Sequence, residues 1–139
     1  MDPLSIAASC TALVTTIAKI SVELTSFSRR VREARNDVDL VVRELVSLTT
    51  TLEYMAGDIN DNDCGKALPS SLLSQIKNIL AGCDNVIIQI AQTISKFDGD
   101  GVIVRSKWAI SGQGDMEKLR SSLEAHKSAL GIGLDMLLL

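Results

Sequence analysis

From Ile6 to Ile59 the chain sets an apolar residue at every third or fourth position without a lapse. The series runs Ile6, Cys10, Leu13, Ile17, Ile20, Leu24, Phe27, Val31, Ala34, Val38, Val41, Leu45, Leu48, Leu52, Met55 and Ile59. Alternating steps of three and four hold side chains on one face of an α-helix, whereas a strand needs a period of two. Neither Gly nor Pro falls between Pro3 and Gly57. The stretch is therefore one long rod or a helical hairpin. Caps in "TSFSRR" and "ARND", with Asn36 and Asp39 spaced like a capping box, favour a hairpin that breaks near Ser26–Arg30. Asp2 followed by Pro3 reads as the start of the first helix, a carboxylate cap before a proline in the first helical turn.

The remainder repeats the pattern. The polar loop "GDINDNDCGKALP" leads into a third helix on Leu72, Ile76, Ile79, Cys83, Val86, Ile90, Ile94 and Phe97. Gly82 within it costs about 1 kcal/mol relative to Ala, which the close approach of a neighbouring helix would explain. "DGDG" ends that helix, "VIVRSKWAI" reads as a short helix docked through Trp108, and "SGQGD" breaks the chain. Asp115 then caps a last helix on Met116, Leu119, Leu123, His126, Leu130, Leu134 and Leu137. The predicted fold is all-α, an up-down bundle of four long helices with a short extra helix before the last. The expected bounds are 3–26, 30–59, 69–97, 102–110 and 115–138, within one domain of 1–139.

Composition narrows the function. With 139 residues the chain is long enough for one real core. Aromatics are only 3%, so that core is aliphatic, which suits helices packed at close range. A net charge of -3 argues against nucleic acid as a partner, because neutralising phosphates needs a basic surface. The three cysteines Cys10, Cys64 and Cys83 cannot close a disulfide framework, which points to a reducing cytoplasm.

Catalytic patterns are weak. In the loop, Asp58, Asn60 and Asn62 imitate a calcium site, but the sixth position is Asp63 instead of Gly and the twelfth is Pro69 instead of Glu. "CGKA" lacks the flanks of a phosphate loop. The single histidine, His126, falls on an apolar stripe between Leu123 and Leu130, with no carboxylate or second ligand at helical spacing. Cys10 and Cys83 sit on core stripes, where free Cys is a small hydrophobe. The residues therefore point to a protein that is not an enzyme and has no cofactor or metal.

Two surface features remain. Between Asp2 and Lys19 the first helix has no charge. The acidic Asp2 occupies the place of a basic leader region, so this is not a signal peptide. The charge-free run is also shorter than a membrane span and rich in Ser and Thr. A bundle helix without charge is either central and buried all round, or its outer face, with Ser5, Ser9, Thr15 and Thr16, suits another environment. Second, "RRVREAR" gathers Arg29, Arg30, Arg32 and Arg35 against a lone Glu33. Each Arg near an anionic leaflet contributes about 1 kcal/mol, so the cluster is either a solvated helix end or a contact for anionic lipid.

"MDPLSIAAS", "VREARNDVDLVVRELVSL" and "KWAISGQGDMEKLRSSLEAHKSAL" resemble, in order and spacing over nearly the whole chain, the N-terminal helical domain of fungal STAND (NLR-like) proteins. That domain is grouped with the HeLo-like cell-death family. The resemblance implies an effector or signalling role in fungal innate immunity or programmed cell death (heterokaryon incompatibility). The implied mechanism is cytoplasmic self-association, then recruitment to the plasma membrane through the first helix, with Leu4, Ile6, Ala7 and Ala8 as the insertion segment. Other helical death-type domains are further implied partners. The chain stops at "GIGLDMLLL", which leaves an excised domain and a stand-alone member both open. The competing reading is a soluble interaction or dimerisation bundle without membrane activity. Lipid separates the two: the effector should lose activity with Ile6→Glu, whereas the module should keep its partner binding.

Overall fold

The structure, a computed structural model, describes residues 3–61, 68–97 and 101–138. All of its elements are helical: α1 (Pro3–Arg30), a 3-10 turn (Arg32–Ala34), α2 (Arg35–Asp61), α3 (Ser70–Ser95), a short α4 (Val102–Lys107), a π-helical turn (Trp108–Gly112) and α5 (Gln113–Leu138). The fold is the all-α bundle that the periodicity predicts. Asp2, the segment with Asn62, Asp63 and Cys64, and residues 98–100 of "DGDG" lie outside the described residues.

Every residue of the stripe from Ile6 to Ile59 is buried, in one core shared with α3 and α5. α1 and α5 each pack against both α2 and α3. Successive helices run in opposite directions, so α1 and α3 are parallel neighbours, as are α2 and α5. The connection between α2 and α3 therefore joins helices on opposite corners of the bundle.

Three local expectations are corrected. The first break comes at Val31, not within Ser26–Arg30: α1 runs through Arg30 before Val31 turns extended at φ -118°, ψ 90°. The reason is packing, since Val31 and Ala34 are fully buried in the corner and carry the apolar stripe around it. Asn36 and Asp39 consequently lie inside α2 and do not cap it. Next, α3 stops at Ser95, two residues early, because Lys96 and Phe97 donate to Thr93 and Ile94 in tighter three-residue turns.

The third correction concerns "SGQGD", which does not break the chain. α4, the π turn and α5 form continuous helical backbone, with Asp115 exposed inside α5. The extra residue of the π turn accompanies the burial of Trp108, which is stacked at 5.1 Å from Phe27 and edge-on at 5.3 Å from Phe97. Its indole N–H donates to Asp37 across 3.1 Å. Gly112 is small for this contact and not for a turn, since a Cβ there would fall 2.8 Å from Phe97 Cζ and run into Trp108. Gly112→Ala is accordingly expected to lower stability by about 1–3 kcal/mol in urea melts, while Gly114→Ala, which meets open space, is not.

Gly82 has the explanation its position asked for. The imidazole of His126 from α5 lies where a Gly82 Cβ would be. His126 Nδ1 donates to the Ser122 carbonyl at 2.7 Å, because that oxygen can only accept. This fixes the proton on Nδ1 and turns Nε2 toward the glycine.

Candidate functional site

α1 is not a central helix. It buries one face, and the other face is exposed along its length. The predicted insertion segment is split by this arrangement. Ile6 and Ala7 are core residues, whereas Leu4, at 68% exposure, and Ala8 face outward. Beyond them the outer face continues through Thr11, Ala12, Thr15 and Ala18, with no charge before Lys19.

Hydroxyl chemistry makes this face less polar than its composition. Ser9, Thr11, Thr15 and Thr16 donate to the carbonyls of Ser5, Ala7, Thr11 and Ala12, at 3.0–3.3 Å. An O–H already bonded to its own backbone demands no water, which is the condition a helix must meet in hydrocarbon. Thr49, Thr50 and Thr51 of α2 bond in the same way, but Arg43 and Glu53 charge the outer face of that helix.

Length also differs from expectation. The uncharged run alone is short, yet the helix it opens has 28 residues, about 42 Å. By length and composition it can cross a membrane, with a window of mean hydropathy 1.5 that is one-third buried in the bundle. A groove of about 350 Å³ separates α1 from α3 and is lined by Ser9, Ala12, Leu13, Thr16, Leu80 and Ala81, with Lys77 and Asp84 also at it. α1 is thus held closely by α2 and more loosely by α3.

The four arginines stand at the opposite end from Leu4. Arg29, Arg30, Arg32 and Arg35 are all exposed around the Val31 corner. Arg30 reaches the Phe97 carbonyl at 3.5 Å and lies 5.5 Å from the centre of the Phe27 ring, which ties the corner to α3. Glu33 pairs loosely with Arg105 of α4 at 3.8 Å. From Leu4 to Arg29 is about 38 Å along the helix, so the two features do not form one site.

The thiols on α1 and α3 are inert in this state. Burial pushes Cys10 and Cys83 up from 9.0 to about 11; the nearby Cys83 thiol adds to the rise at Cys10, while at Cys83 a backbone hydrogen bond opposes it and the Asp84 carboxylate adds to it. A raised folded pKa means that the stabilisation is full below pH 9.0 and is lost as pH rises toward 11. The urea midpoint should fall across that window, and fall less in a Cys10→Ala/Cys83→Ala protein. Among the described residues no group of three or more His, Cys, Asp or Glu could hold a metal ion.

What these features define is a helical-bundle domain whose first helix offers an outer face without charge before Lys19. A family model described as pigment biosynthesis cluster protein PigL N-terminal matches residues 1–139. The chain belongs to that family, a fungal-associated family of helical N-terminal domains. No curated protein and no solved structure matches the chain.

Proposed function

We propose that this domain is the N-terminal effector of an NLR-like innate-immunity or cell-death protein, acting by self-association and by passing α1 from the bundle into a membrane. The observation that carries the reading is α1 itself: long enough to span, uncharged outside over its first four turns, and with its hydroxyl donors satisfied internally. The motif resemblance to fungal STAND domains supports the same role. In this reading the domain is not an enzyme. It rests in the cytoplasm, and its partners are further copies of itself and anionic lipid.

Cys10 and Cys83 test the release of α1. Both are fully buried, one on the helix that leaves and the other on a helix that stays. In a Cys64→Ser background, anionic vesicles should speed alkylation of Cys83, which loses its cover when α1 leaves, at least about tenfold, with helicity by circular dichroism retained. Labelling with loss of helicity would mean general unfolding, and protection of both cysteines on vesicles that bind the protein would contradict release. The second reading, a soluble interaction module, draws support from Val46 and Tyr54, large side chains exposed on α2. It predicts protection of both cysteines and self-association lost with Val46→Asp.

A further inference from the structure

We infer that the α4 end of the bundle is a second, separate membrane-contacting surface, which meets an anionic bilayer before α1 is released. This rests on the membrane reading above and changes where first contact falls. Val102, Ile103 and Ile110 are 68%, 72% and 84% exposed, three large aliphatic side chains within nine residues. α4 has no fully buried residue and leans on the core only through the half-buried Val104. It is nonetheless fixed: Trp108, the next residue, is locked between Phe27, Phe97 and Asp37. A short apolar turn held rigidly outward has the character of an anchor.

Its charge selects the occupant. α4 and the π turn pack against the Arg32–Ala34 corner, which brings Lys107 and Arg105 to the end of the bundle that carries the four arginines. Among the described residues, Glu33 at this corner is paired with Arg105, and Asp37 accepts the Trp108 N–H. Arg29, Arg32, Arg35 and Lys107 are exposed and have no described carboxylate within 4.0 Å. Exposed aliphatics beside cations suit a lipid interface, where the apolar chains enter the headgroup boundary and the cations face anionic lipid. A protein groove of opposite charge is the competing occupant; a bilayer is favoured because the aliphatics stand 68–84% exposed beside cations and line none of the described grooves.

The placement also gives α1 a route. The Val31 corner, where α1 joins α2, is part of this end. A bundle docked here holds the pivot of α1 at the bilayer surface, so a helix of about 42 Å released from the core can swing about that pivot into the hydrocarbon.

The test is co-sedimentation of the whole chain with phosphatidylcholine vesicles, with and without phosphatidylserine. Wild type should bind the anionic vesicles, more weakly as salt rises. Ile103→Asp/Ile110→Asp and Arg32→Glu/Lys107→Glu should each bind at least about tenfold more weakly, the first by losing apolar insertion and the second by losing two cations at the anionic surface. Val46→Asp should bind like wild type, and circular dichroism should show these variants and Leu4→Glu folded. If the α4-end variants bind normally while Leu4→Glu does not, this surface is wrong and the α1 reading stands. If wild type binds neutral vesicles equally well, the charge assignment fails. If it sediments with no vesicle, both readings fail.

Discussion

Trp108→Ala should cost the domain about 3–5 kcal/mol, a fall in Tm of roughly 10–20 °C for a chain this size. The Trp108 side chain ties three elements together in one place. Its ring is 1% exposed and touches Phe27 at the end of α1 and Phe97 just after α3, and its N–H holds Asp37 in the first turn of α2. Truncation opens a cavity among elements that cannot all close on it and leaves Asp37 without its donor. Because α4 stands on this residue, the variant should also let the Val102–Lys107 turn fray, which hydrogen exchange would register at that end of the bundle before the centre. A loss below about 1 kcal/mol would mean that the aromatic cluster does not organise the corner.

Ile6→Glu should be at least as damaging, for a different reason. Ile6 is fully buried on α1 beside Cys10 and Leu13, and no described cation lies on its face of the helix. Burying a carboxylate without a partner costs several kcal/mol, either as desolvation or as the work of protonating it. The substitution should therefore loosen the N-terminal half of α1 and shift the urea midpoint by an amount that grows as pH rises above the carboxylate range. It cannot serve as a clean probe of membrane action, although sequence alone recommends it. Leu4 and Ala8 serve instead, because a charge placed there stays in water.

The spacing rule foretold nearly all of the core. Ile6 through Ile59 is buried at every step, and Gly82 faces a neighbouring helix as its cost implied. Hydrophobic period is a strong signal because burying one face is what makes an isolated helix worth forming. Breaks were less legible. Polar "TSFSRR" looked like a turn, but Phe27 and Ser28 are buried, so helix continues until Val31. "SGQGD" looked like a loop because glycine has two meanings in sequence: conformational freedom and absence of bulk. At Gly112 the second applies, and only the positions of Trp108 and Phe97 reveal it.

The surface was legible in part. The arginine cluster, the uncharged run and the helix between them were legible in the sequence, but which side of α1 faces outward was not. Splitting Leu4 and Ala8 from Ile6 and Ala7 requires knowing which side of α1 meets α2. The exposed Ile103 and Ile110 were missed because "VIVRSKWAI" carries enough apolar residues to pass for core, and only Trp108 among them is deeply buried.

Release of a dye from vesicles containing phosphatidylserine tests most directly whether the outer face of α1 acts on membranes. Purified wild-type protein should release it in a concentration-dependent way with an order above one, since single helices would have to assemble. Leu4→Glu/Ala8→Glu, with unchanged circular dichroism and urea midpoint, should abolish release. Release by that variant at the wild-type rate, or none from wild type even after forced clustering, would contradict the membrane role and leave the bundle as an interaction module.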